Sequence, residues 1–124
     1  MKTISIGVDM VANKRIKSSI KNIKFINRIF GKKEILNSKK INNKINYFSK
    51  RFAAKEALAK AIGTGISKGL NFRDIQVVNN NQGKPYYLNS LKLKNFIKKK
   101  MKVRNFKLFL SISDEKEYSI AFAI

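Results

Sequence analysis

The chain of 124 residues carries 28 lysines and arginines against 7 aspartates and glutamates, a formal net charge of +21, and 44% of it is hydrophobic. It contains neither cysteine nor histidine, which excludes disulfides, thiolate metal centres, the usual zinc ligands and the commonest general base. Any metal must therefore be held by oxygen, which points to magnesium, manganese or calcium.

Residues Met1 to Gly7 include no long apolar stretch and no small-residue cleavage site, so no signal peptide is expected. No later run approaches the roughly 20 apolar residues of a membrane span, and the expectation is a soluble, cytoplasmic protein. Ile4 to Val11 reads as a buried strand in which Ile4, Ile6 and Val8 alternate with Ser5, Gly7 and Asp9. From Asn13 to Phe30 the pattern is helical. Lys14, Lys17, Lys21, Lys24 and Arg28 recur at steps of three and four and share one face, with Ile16, Ile20, Ile23 and Phe30 broadly opposite. Gly31 ends this segment. Residues 32–44 are polar and lysine-rich and read as a mobile connection, with a short helix around Glu34 to Asn37.

A long helix is predicted from about Asn43 to Ile62, stopping at Gly63. Ile45, Phe48, Phe52, Ala59 and Ile62 form an apolar stripe, and Ala53, Ala54, Ala57 and Ala61 cover much of the rest. A helix so rich in alanine on several faces is expected to pack on more than one side. Phe72 to Ile75 reads as a turn into a strand, Gln76 to Asn79. Asn79 to Pro85 is a second turn and Tyr86 to Leu88 the returning strand. Leu91 to Met101 is a basic helix. Phe106 to Ser113, a polar turn at 114–117, and Tyr118 to Ile124 form a hairpin. There is no internal repeat, and residues 1–124 read as one domain.

Of the acids, Glu34, Asp74, Glu115 and Glu117 fall in polar segments or turns and are expected at the solvated surface. Asp9 and Glu56 differ. Asp9 ends a hydrophobic strand, and Glu56 lies one turn beyond Phe52 at the edge of the apolar stripe. A carboxylate at such a position needs a cation. The partner is either Arg15, Arg51 or Lys55 in an ordinary ion pair, or a divalent metal, since magnesium takes few protein carboxylates and fills its shell with water and phosphate oxygens. Lys60 follows Glu56 by four residues and projects from the same side, as a surface pair or as a phosphate contact. Gly63-Thr64-Gly65 supplies flexible backbone at the helix end, but the Walker pattern is absent.

These residues resemble the pattern of the holo-[acyl-carrier-protein] synthases, bacterial phosphopantetheinyl transferases, over nearly the whole chain. Ile6-Gly7-Val8-Asp9-Met10-Val11 with Arg15-Ile16 is similar to the opening motif. Arg51-Phe52-Ala53-Ala54-Lys55-Glu56-Ala57, Lys60-Ala61 and Gly63-Thr64-Gly65-Ile66 resemble the central signature. Asn79, Gly83-Lys84-Pro85 and Ser111-Ile112-Ser113 follow in order. The resemblance implies an α+β fold with an antiparallel sheet packed against a long central helix, and a homotrimer with active sites between subunits. It implies magnesium on Asp9 and Glu56, bridging the pyrophosphate of coenzyme A while a serine of acyl carrier protein attacks, and Lys60 assisting the departure of 3′,5′-ADP. It also implies coenzyme A contacts from Arg51, Gly63, Gly65, Gly83, Lys84 and Pro85, in the service of fatty acid biosynthesis.

The charge then acquires a partner. Acyl carrier proteins are acidic, and the family docks them on Arg15 and the basic helix after it, here Lys21, Lys24 and Arg28, with no nucleic acid and no membrane insertion involved. Lysine favoured by AT-rich codons accounts for some of the excess as an alternative. Asp114 stands where many relatives have histidine near the nucleotide end of coenzyme A, which puts that contact in doubt. A different class of reading, a small basic nucleic-acid-binding protein, explains the charge but leaves Asp9 and Glu56 without a purpose.

Overall fold

A computed structural model describes residues 3–63 and 70–124, with Phe122 as backbone only. The order is β1 (Gly7–Ala12), α1 (Asn13–Ser19), α2 (Ile23–Ile29), α3 (Lys32–Ser38) and α4 (Lys44–Ile62). A 3-10 turn (Phe72–Asp74), β2 (Val77–Asn79), β3 (Pro85–Tyr87), α5 (Leu91–Met101), β4 (Leu110–Asp114) and β5 (Tyr118–Ala123) follow. The three-stranded sheet runs β1-β5-β4 and is antiparallel throughout, with Asp9 opposite Ala121 and Leu110 opposite Ala123. β2 and β3 form a separate antiparallel hairpin. The class is α+β, as the sequence led one to expect.

The 19-residue α4 starts where the Asn43 side chain accepts the Asn46 amide hydrogen at 3.1 Å, and it stops at Gly63, left-handed at φ +88°. One flank lies on the three-stranded sheet, and helices and the β2 strand cover others, so packing on several sides is observed. Small residues allow the close approach. A Cβ built on Gly7 would run into the Ala57 carbonyl oxygen and sit 2.6 Å from the Ala61 nitrogen. Ala53, Ala57, Ala121 and Ala123 are wholly buried.

Four expectations need correction. The strand begins at Gly7 rather than Ile4, and its buried side is the opposite one. Gly7 and Val11 face α4, while Ile6 (61% exposed), Met10 (60%) and Val8 (46%) face outward. The alternation is present, but Gly7 and the alanines of α4 leave no room for large side chains beneath the sheet. The helix over 13–30 is two helices, because Asn22 caps a new one by accepting the Lys24 amide hydrogen at 2.9 Å. Ile23, placed on the apolar side by a continuous helix, is exposed. The short helix expected around Glu34 to Asn37 is present and spans Lys32–Ser38, so the segment is not a loose connection. Within it, Glu34 is fully buried rather than solvated, paired at 2.6 Å with an equally buried Lys55. Lys55 thus partners neither Asp9 nor Glu56. Asp74 is also engaged, with Lys92 at 3.0 Å.

Candidate active site

β1 sends Asp9 toward α4, on the side of the sheet that Gly7 and Val11 share. Phe52, Glu56 and Lys60 stand one above another at four-residue steps along α4. The Lys60 ammonium donates to Asp9 Oδ1 at 2.9 Å, with the lysine side chain 55% and the aspartate 15% exposed. Glu56 is half-buried, and its carboxyl is held above the usual range first by burial, then by the negative charge of Asp9. Lys60 and Arg15 pull it the other way. Arg15 reaches in from α1, its guanidinium carbon 5.5 Å from the centre of the Phe52 ring. Asp9, Glu56, Lys60 and Arg15 therefore share one neighbourhood, reached from three elements.

An ion pair accounts for Asp9 but not for Glu56, which makes none among the described residues. The sequence-level partners Arg51 and Lys55 are committed elsewhere. Two neighbouring carboxylates whose repulsion Lys60 and Arg15 only offset, with an exposed lysine alongside, make a donor set that suits a hard divalent cation with open positions for water and phosphate oxygens. No cluster of three or more acids occurs among the described residues, so any such ion keeps most of its shell for other ligands.

A second cluster occupies another face of α4. Arg51 precedes Glu56 by five positions, about 140° around the helix. Its guanidinium stacks 3.7 Å from the Tyr47 ring centre and donates to Asn79 Oδ1 at 2.6 Å. Its Nε has no hydrogen-bond partner among the described residues, and burial lowers its pKa. Both features suit an incoming anion. A cavity of about 430 Å³ opens here, lined among others by Lys40, Asn43, Asn46, Lys50, Arg51 and Asn79. The Asn79 amide donates to the Gly83 carbonyl at 2.8 Å, in a turn where Gly83 takes φ +82° and Lys84 is exposed. Pro85 opens β3, opposite Asn79. The Tyr87 hydroxyl ties that hairpin to α4 through the Ala54 carbonyl at 2.6 Å. Asp114 accepts a hydrogen bond from Asn46 at 2.6 Å, so it sits at the margin of this cavity.

Within one chain, then, Asp9, Glu56 and Lys60 come together, Arg51 and the 83–85 turn come together, and the two groups are separate. Gly63 caps α4; Gly65 lies outside the described residues. Arg15, Lys21, Lys24 and Arg28 are all exposed, but Lys21 lies in the break between α1 and α2, so the four do not line one continuous helix. Sequence reasoning missed Tyr47, Asn46, Lys40 and Lys50. The i, i+4 spacing of Tyr47 and Arg51 was the available signal for the stack.

A family model described as the 4′-phosphopantetheinyl transferase superfamily matches residues 5–123. The chain is 55% identical over 124 residues to the holo-[acyl-carrier-protein] synthase of Pelagibacter ubique, covering all of this chain and 97% of that protein. The crystal structure of the synthase from Neisseria meningitidis is similar at TM-score 0.86 and 36% identity, over 96% of this chain and 94% of that one. The Helicobacter pylori synthase in complex with coenzyme A is similar at TM-score 0.80 and 30% identity, over 96% and 97%.

Proposed function

The chain belongs to the 4′-phosphopantetheinyl transferase superfamily, and on that footing we propose that it moves the phosphopantetheine arm of coenzyme A onto a serine of apo-acyl carrier protein. The products are holo-acyl carrier protein and 3′,5′-ADP. The observation that carries the reading is the convergence of Asp9, Glu56 and Lys60 at one point, with the Glu56 carboxyl held above its usual pKa by burial and then by the charge of Asp9.

In this proposal Asp9 and Glu56 hold magnesium. Bound there, the ion supplies Lewis acidity and a template for pyrophosphate oxygens. Phosphoryl-type transfer asks little else of a protein than positioning and cations where charge accumulates. Lys60, tethered by Asp9 yet more than half exposed, turns to the oxygens of the departing 3′,5′-ADP. Arg51, Lys84 and the 83–85 backbone take the nucleotide end, together with Gly63 and Gly65. Exposed Arg15, Lys21, Lys24 and Arg28 meet the acidic carrier.

The active unit is a homotrimer of single-domain chains. Two observations support it. The outward sheet face carries Ile6, Val8 and Met10, apolar side chains that a neighbouring copy would cover. The Asp9 and Arg51 groups lie on different faces of α4, as expected if each complete site takes one group from each of two copies. A cytoplasmic role in fatty acid biosynthesis completes the proposal, and no helix of the described residues is long and apolar enough to cross a membrane.

The decisive experiment incubates the protein with apo-acyl carrier protein, coenzyme A and magnesium and reads the carrier by mass spectrometry. A gain of one phosphopantetheine is expected, lost on chelation and in Asp9→Ala or Glu56→Ala. Salt-sensitive RNA binding without any mass gain would replace this reading with nucleic-acid binding.

A further inference from the structure

We infer that Glu34, remote from both clusters' surfaces, is a positioning residue for the nucleotide end of coenzyme A; the inference rests on the function proposed above. Arg51 also donates to the Tyr47 carbonyl within α4 at 3.4 Å, but its other two contacts, the Tyr47 ring and Asn79, trace back to Glu34. On one side, the Glu34 backbone carbonyl accepts the Tyr47 hydroxyl at 2.5 Å, and the Tyr47 ring carries the Arg51 guanidinium at 3.7 Å. On the other, Glu34 Oε2 accepts the Val77 amide hydrogen at 3.0 Å, starting the strand that presents Asn79 to Arg51 at 2.6 Å. Glu34 Oε1 meanwhile accepts from the Gly31 amide at 2.9 Å and from Lys55 at 2.6 Å.

Lys55 completes the frame. Its ammonium also donates to the Phe72 carbonyl at 3.0 Å and to the Ile75 carbonyl, fixing the run that enters β2. These groups come from Gly31, α3, α4 and residues 72–79, and among the described residues none hydrogen-bonds to Asp9, Glu56 or Lys60. Glu34 thus holds the ring beneath Arg51 through its backbone carbonyl, and the strand carrying Asn79 through its carboxylate. Loss of its charge should therefore disturb the cationic cavity while sparing the Asp9 cluster.

The test measures coenzyme A affinity by calorimetry and steady-state kinetics in Glu34→Gln and Tyr47→Phe. Glu34→Gln removes the charge; Tyr47→Phe cuts only the bond to the Glu34 carbonyl and leaves the ring. Expected is a rise of about tenfold in Kd and KM for coenzyme A in Glu34→Gln and about threefold in Tyr47→Phe. In both, kcat at saturating coenzyme A and KM for carrier protein should stay within about twofold. On an Arg51→Ala background, Tyr47→Phe should add nothing. An unchanged coenzyme A Kd, an equal loss across kcat and both KM values, or an additive effect on that background overturns the inference. Should Glu34→Gln fail to fold, Tyr47→Phe decides alone. Wild-type protein that binds coenzyme A but transfers nothing would sink the proposed reaction and leave this inference standing; wild-type protein that binds none would end both.

Discussion

The ammonium of Lys60 lies 2.9 Å from Oδ1 of Asp9, so a hydrogen bond spans from the α4 face that carries Glu56 to the first strand. Such a lysine is anchored but not enclosed. Lys60→Ala should lower kcat by about 10²-fold, the order found on removing one preorganised donor to developing charge. KM for carrier protein should hardly move. An unchanged kcat in stopped-flow or mass-based assays would reduce Lys60 to a surface pair.

Glu56 makes stability and metal affinity depend on pH, with opposite signs. Its folded pKa lies above the ordinary carboxylate value, through burial and then Asp9. The folded state therefore binds more protons than the unfolded one between the two values, and stability falls as pH rises through that window. Glu56→Gln should melt higher than wild type at neutral pH and lose the advantage below the ordinary value. Magnesium should raise the wild-type Tm at neutral pH, by about 2.7 kcal/mol of stability at 100 times Kd. That gain should fade as acid protonates Glu56. Thermal scans with and without magnesium, repeated on Asp9→Asn, check both signs without any assay of turnover.

Charge reversal at Arg15 and Lys24 should raise KM for carrier protein and leave KM for coenzyme A alone. The wild-type association rate should fall as salt is added, since exposed charges steer encounter more than they set final affinity. Equal effects on both substrates would refute the docking role. Arg15 is the informative member, because its charge also reaches Glu56.

On the proposed homotrimer, Ile6→Lys combined with Met10→Lys should give monomers in sedimentation and abolish activity. Each large apolar side chain removed from water contributes roughly 1.5–3 kcal/mol, so two charges on one face are enough to decide association. Complementation offers a sharper check. Asp9→Asn and Arg51→Ala should each be inactive alone, yet refolding an equal mixture should restore roughly a quarter of wild-type activity, the random share of interfaces with both halves intact. No recovery would mean that each site is built within one chain.

The Asp9 cluster was legible only in part: Glu56 and Lys60 stand one turn apart, but Asp9 lies inside β1 rather than at its end, and what joined it to Glu56 was the family resemblance rather than spacing. α4 was read to its last residue because Gly63 is a strong stop. The sidedness of β1 was not legible. Burial was assigned to the larger side chains, whereas Gly7 marks the side where the chain packs against its own helix. Glu34 was misjudged for a different reason. Its partners Lys55 and Val77 lie 21 and 43 positions away, and nothing in a lysine-rich stretch announces a buried acid. The break at Asn22 hid within a charge periodicity that ran straight through it.

Gly7 has a reach beyond packing. With no Cβ it lets the first strand rest directly on the backbone of Ala57 and Ala61, and Asp9 follows two residues later while Glu56 precedes Ala57 by one. The gap between two carboxylates is thereby gauged by a hydrogen atom at a position no substrate meets. A single methyl inserted there would wedge strand from helix and shift Asp9 relative to Glu56.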